Sequence, residues 1–216
     1  MAGGKNGTVF ASRCGGAILE GEIFGGASTG AVICHPHPLF GGNMHNSVVG
    51  ALFDAMAGAG FSALRFNFRG VGGSQGGYGG GKDEIGDVLG AIDHLKKSCG
   101  CGEIILAGYS FGAAVALNAL SESGAGKFIA VALPTEMGRE YYGELPVPVS
   151  VESFVASGDM DEISGLDKIG QIARFANPPR KLELRGCDHF FSNLESLGKL
   201  CENAVDFILK GKGETA

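Results

Sequence analysis

Residues 103–117 read EIILAGYSFGAAVAL, and this stretch decides the fold. An apolar run, Glu103–Ala107, passes through Gly108-Tyr109-Ser110-Phe111-Gly112 into a small-residue run, Phe111–Ser121. The first has the length and composition of a buried strand and the second those of a helix. A strand that turns into a helix around one residue leaves that residue in a sharp, strained conformation. Side chains two positions to either side would collide with the neighbouring strand and helix, which is a reason for glycine at 108 and 112. The turn lifts the Ser110 hydroxyl beyond the sheet edge, and the first amides of the helix face any negative charge that develops there. This is the context a G-x-S-x-G nucleophile elbow requires. The bland alternative is a glycine-flanked turn in a chain with 39 glycines among 216 residues.

Outward from that turn, buried runs alternate with helical periods. Strands are expected over Ala31–Cys34, Ser62–Phe68, Phe128–Leu133, Val151–Ser157 and Lys181–Leu184, and helices over Met44–Gly58, Asp83–Lys97 and Asn193–Leu209. In the last of these, Leu194, Leu197, Leu200, Ala204, Val205 and Ile208 share one face. The alternation predicts an α/β fold, a mostly parallel sheet with helices on both faces. Residues 15–25 are expected to add antiparallel strands at one edge, and residues 1–14 to form a loosely ordered N-terminus. With 44% hydrophobic and 19% charged residues, the chain suits one domain over 1–216 with a full core. A net charge of −6 gives no reason to expect nucleic-acid binding. No apolar stretch approaches the roughly 20 residues of a membrane span, and the opening MAGGKNGTVF has no basic segment followed by an apolar run. Six scattered cysteines without an export signal point to free thiols in a reducing cytoplasm. Cys99-Gly100-Cys101 lacks the second pair that a zinc site needs and reads as structural.

A nucleophilic serine needs a base and an acid that orients it, in the chain order Ser, Asp or Glu, His. His189, in Gly186-Cys187-Asp188-His189-Phe190-Phe191, is the only histidine after Ser110. Asp159 and Asp161 both follow the Val151–Ser157 strand, and the residues themselves leave the choice between them open. Asp188 adjoins the base in sequence and is badly placed to orient its far nitrogen. His35, His37 and His45 could cluster on a metal, but no carboxylate or cysteine stands at ligand spacing. Gly70–Gly81 lacks the Lys-Ser/Thr of a phosphate loop. It reads instead as a mobile rim, with Arg69 as an ion-pair partner beneath it.

Taken together, the elbow, His35-Pro36-His37-Pro38, Gly41-Gly42-Asn43-Met44-His45-Asn46, Arg65-Phe66-Asn67-Phe68-Arg69-Gly70-Val71-Gly72-Gly73-Ser74, the Gly158-Asp159-Met160-Asp161 turn and Asp188-His189-Phe190-Phe191 resemble the α/β-hydrolase superfamily. More closely, they resemble small, lid-poor bacterial serine hydrolases related to dienelactone hydrolases. The resemblance spans about residues 30–210 and implies the α/β-hydrolase fold with a minimal lid or none. It selects Asp161, the last position of Gly-x-x-Asp, as the acid. It also puts an oxyanion donor in the loop after the first central strand. Pro36 and Pro38 have no N–H, so the His37 amide is the first choice and Leu39 the next, paired with the amide of Phe111. Dienelactone hydrolases proper use cysteine where this elbow has serine, so their substrate does not carry over.

The expected chemistry is ester hydrolysis through an acyl-enzyme. Ser110 is the nucleophile, His189 the base and then the acid, and Asp161 the orienter, with no cofactor or metal. Leu39, Tyr109 and Phe190 are expected to touch substrate. Between Leu133 and Val149 only a short segment, with Tyr141, Tyr142, Pro146 and Pro148, can overhang the site. An open site of this kind favours short-chain or small soluble esters. The expected partner is a small-molecule ester, not a nucleic acid or a membrane. A thioesterase using the same residues and a non-enzymatic ligand-binding protein on the same fold are the alternatives.

Overall fold

The fold is built around strands whose successive residues face opposite sides of one sheet. The computed structural model describes residues 4–135 and 149–210. Within them run β1 (Lys5–Ala11), β2 (Ile18–Phe24), β3 (Ala27–Cys34), α1 (Ser47–Gly58), β4 (Phe61–Phe66), α2 (Asp83–Cys99), β5 (Glu103–Tyr109) and α3 (Phe111–Ser123). There follow β6 (Lys127–Val131), β7 (Glu152–Gly158), the single turn α4 (Ile169–Ile172), β8 (Arg180–Leu184) and α5 (Leu194–Lys210). The sheet order is β1-β2-β4-β3-β5-β6-β7-β8, with β3 to β8 parallel and β1–β2 and β2–β4 antiparallel.

Alternation along the strands makes two cores. Val32, Leu64, Leu106, Phe128 and Val155 pack under α2 and α3. Ile33, Ala63, Ile105, Ile129 and Phe154 pack under α1 and α5. Both faces are therefore covered, as parallel strands require, and each fully buried Phe or Leu contributes about 1.5–3 kcal/mol. α2 carries Asp83 and Glu84 in its first turn and Lys96 and Lys97 in its last, matching the helix dipole at both ends. Among the described residues, no helix is long and apolar enough to cross a membrane. All six cysteines are free thiols.

Two expectations fail. Within residues 1–14, expected to be loosely ordered, Lys5 to Ala11 form an edge strand that pairs in unbroken register with Phe24 to Ile18. Phe10 is buried edge-on against Phe66 and stacked on His94. Thr8 hydrogen-bonds the His94 ring, and Arg13 makes two 2.6 Å bonds to Asp93. The hairpin takes its stability from contacts with α2 far along the chain, so the glycine-rich opening did not announce it. The glycine loop 70–81, expected to be mobile, is fastened at both ends. Gly73 N–H donates to Glu20, while Gly79 and Gly81 N–H donate to the buried Glu84 at 2.7 and 2.8 Å. Beneath it Arg69 bonds the fully buried Asp87 carboxylate, the Ser12 hydroxyl and the Cys14 carbonyl, and reaches Asp83 at 3.0 Å. This network ties the N-terminal hairpin, the loop and α2 together.

Candidate active site

Ser110 sits between β5 and α3 at φ 53°, ψ −121°, a conformation L-residues rarely adopt. Its N–H donates to the Val131 carbonyl at 2.9 Å, which anchors the turn to β6. A β-carbon on Gly108 would strike the backbone of Gly112, and one on Gly112 would strike that of Cys34 and His35. Among the described residues the other non-glycine positive-φ positions are Ala132, just after β6, and Phe191, in the loop between β8 and α5. Backbone strain is thus concentrated on the carboxyl edge of the sheet.

The Ser110 hydroxyl lies 3.0 Å from His189 Nε2. On the other side of the ring, Nδ1 is 3.0 and 2.9 Å from the two oxygens of Asp161. The Asp161 carboxylate is fully buried, and its Oδ1 accepts the amides of Ile163 and Ser164, each at 2.9 Å. Held this way it accepts a hydrogen bond from Nδ1–H, leaving Nε2 as an acceptor for the serine proton. The Tyr109 hydroxyl donates to the His189 carbonyl at 2.7 Å and fixes His189 from the strand side; burial pushes that phenol well above its usual range. Asp159 is engaged elsewhere, accepting from Gly186 N–H at 2.7 Å. Asp188 accepts from the Ser192 amide and hydroxyl, which hold its carboxyl below the usual range.

On the opposite side a short 3₁₀ turn, Pro38–Phe40, follows β3. The His37 side chain caps it, with Nδ1 accepting from Leu39 N–H at 3.2 Å. The Leu39 amide is therefore committed to the turn. Phe111 N–H opens α3, where a helix amide has no intrahelical acceptor. The His37 and Phe111 rings lie 4.8 Å apart, and the Tyr78 hydroxyl is 3.2 Å from His37 Nε2. Burial lowers the His37 pKa. His35 lies deeper. Its Nε2 accepts from Phe68 N–H at 3.0 Å, so Nδ1–H donates to the Pro36 carbonyl, and burial pushes its pKa down to about 4. Among the described residues no three His, Cys, Asp or Glu side chains converge as a metal site would require.

A cavity of about 420 Å³ opens beside Ser110, with His37, Phe111 and His189 on its walls. Tyr109 and Phe190 line it and Leu39 does not: Leu39 is exposed, and its neighbour Phe40 lines the cavity. A 3₁₀ turn rotates successive side chains by about a third of a circle, so adjacent residues cannot share one wall. Ala114 and Ile163 were missed as lining residues. Ala114 lies four residues beyond Ser110, on the same helical face, and that spacing could have found it. Ile163 is placed by its amide bond to Asp161, which has no local signal. The segment with Tyr141, Tyr142, Pro146 and Pro148 lies outside the described residues.

Residues 29–137 match the family described as serine aminopeptidase, S33. An uncharacterized protein of Rickettsia prowazekii is 32% identical over 169 residues, 74% of this chain and 71% of that one. The structure of an α/β serine hydrolase homologue from Coxiella burnetii is 31% identical with a TM-score of 0.80, covering 92% of this chain and 96% of that one. A lid-less α/β serine hydrolase from Xanthomonas campestris superposes with a TM-score of 0.83 at 24% identity, covering 98% and 97%.

Proposed function

The chain belongs to the serine aminopeptidase S33 family of α/β serine hydrolases, and from that premise we propose that it hydrolyses small carboxylic esters through an acyl-enzyme. Ser110 attacks the ester carbonyl while His189 Nε2 takes its proton, and His189 then returns that proton to the departing alcohol. Asp161 holds the ring in the required tautomer and stabilises the imidazolium that forms. The amides of His37 and Phe111 receive the tetrahedral oxyanion, each donor worth about 3–4 kcal/mol in the transition state. Water, activated by the same imidazole, then releases the acid. The observation that carries this reading is the unbroken hydrogen-bond chain from a strained serine at a helix start, through His189, to a buried, doubly amide-bonded carboxylate.

Hydrolysis of p-nitrophenyl butyrate by the wild type and by Ser110→Ala tests it. A burst of p-nitrophenol equal to the enzyme concentration, lost in the variant, is expected. Hydrolysis that survives the substitution would sink the reading.

A further inference from the structure

The cavity beside Ser110 is larger than a short acyl group needs. Its 420 Å³ leaves room for about a dozen groups the size of a water molecule. Phe40, Phe111, Ala114, Pro134, Ile163 and Phe190 form apolar walls. Apart from Ser110 and His189, the polar side chains that reach it each make at least one hydrogen bond within the protein. The Tyr109 hydroxyl donates to the His189 carbonyl, the His37 ring bridges Leu39 N–H and Tyr78, and Asn46 Oδ1 accepts from Val48 N–H at the start of α1. Among the described residues no Asp, Glu, Lys or Arg lines the cavity. An ammonium or carboxylate carried into it would give up water and meet no counter-charge from the described residues.

The mouth continues the same chemistry. Phe40 lies against the His37 ring at 4.7 Å and Phe190 against the His189 ring at 5.6 Å, one on each side of the reacting serine. They are 79% and 70% exposed. Leu39 in the 3₁₀ turn, Met160 in the loop after β7 and Leu194 at the start of α5, all at this same edge of the sheet, are also exposed. Apolar side chains gathered on one edge, rather than scattered singly, mark a surface that meets apolar ligand.

We propose that this site takes uncharged, apolar acyl groups of about six to ten carbons, straight-chain or aryl, and that Phe40 and Phe190 are its specificity-determining residues. The proposal rests on Ser110 being the nucleophile, and it moves the acyl range above the short chains expected from the sequence. Each methylene brought out of water favours the enzyme-bound state by about fourfold. Selectivity therefore rises with length until the walls are filled.

The test uses p-nitrophenyl esters from acetate to laurate below their micelle concentrations, with the hemisuccinate as a charged acyl group. It compares wild type, Phe40→Ala, Phe190→Ala and Ser110→Ala. Labelling of Ser110 by a small organophosphorus fluoride, read by mass spectrometry, reports on the nucleophile whatever the acyl preference. The expected result is a kcat/KM that climbs at least tenfold from acetate to octanoate and falls by laurate, with the hemisuccinate at least tenfold below butyrate. Each phenylalanine variant should lower the octanoate-to-acetate ratio at least tenfold. Ser110 labelling together with a maximum at acetate, equal use of the hemisuccinate, no hydrolysis of any member, or an unchanged ratio in both variants would overturn the proposal. No labelling, or activity that survives Ser110→Ala, would overturn the nucleophile assignment instead.

Discussion

Two loops at the carboxyl edge of the sheet each bring a histidine to Ser110, and they use it in opposite ways. In the loop after β3, His37 is bonded through both ring nitrogens to groups that shape the loop, the Leu39 amide and the Tyr78 hydroxyl. In the loop after β8, His189 is bonded to a serine hydroxyl on one side and a buried carboxylate on the other. Both residues are 8% exposed and both line the same cavity. Burial therefore does not distinguish them, and only their partners do. An imidazole between a backbone amide and a phenol is a strut. Between a hydroxyl and a carboxylate, it can take up a proton and hold it.

The largest effects test the His189 side. Ser110→Ala and His189→Ala should each lower kcat by about 10⁴-fold or more, because neither the attacking oxygen nor its base has a substitute. Asp161→Asn should cost about 10²–10⁴-fold, since an amide cannot enforce the tautomer. Asp159→Asn, which touches only Gly186 N–H, should change kcat by less than about threefold. Steady-state kinetics on one ester decide the matter. A larger loss at Asp159 than at Asp161 would transfer the orienting role and break the account of the buried carboxylate.

Next in size is a stability effect on the strut side. The fold lowers the His35 pKa from 6.5 to about 4, so it disfavours the protonated ring that the unfolded chain accepts. The stability from the neutral ring is complete above about pH 6.5 and is lost as pH falls through that value toward 4. It amounts to about 3 kcal/mol by pH 4. Denaturant unfolding of wild type and His35→Gln between pH 7.5 and 4 should show the variant less stable at neutral pH and the two curves converging on acidification. Parallel curves would mean that His35 titrates normally and that its bonds to Phe68 and Pro36 matter little.

What the sequence made legible divides along the same line. Buried strands and amphipathic helices are coded by neighbours, so Glu103–Ala107, Phe111–Ser121 and Asn193–Leu209 were expected within a few residues of β5, α3 and α5. Ser110 and His189 could be picked out because one lies in a local steric motif and the other was the only downstream histidine. Asp161 against Asp159 could not be settled by residue type. Two carboxylates two positions apart differ only in which one faces a ring contributed from another strand. Leu39 and Phe40 posed the same difficulty within a single turn. β1 and the fastening of the glycine loop were hidden for a further reason. Glu20, Glu84 and Asp87 act on backbone amides or on an arginine, and no sequence period records such bonds.

The smallest expected effect is the sharpest test of the strut. Tyr78→Phe keeps the ring that packs on His37 and Phe111 at 5.1 and 5.9 Å and removes only the hydroxyl 3.2 Å from His37 Nε2. A neutral hydrogen bond of this kind contributes about 1 kcal/mol net. Loosening the turn that presents the His37 amide should therefore lower kcat by about fivefold. KM should stay unchanged, because the amide is called on when the oxyanion forms rather than when the ester binds. A drop of a hundredfold or more, with unfolding unaffected, would show that the His37 ring itself takes part in proton transfer, and the two loops would no longer be opposites. No change at all would mean that the Leu39 amide and the packing against Phe111 suffice to hold the ring, and that Tyr78 only covers it.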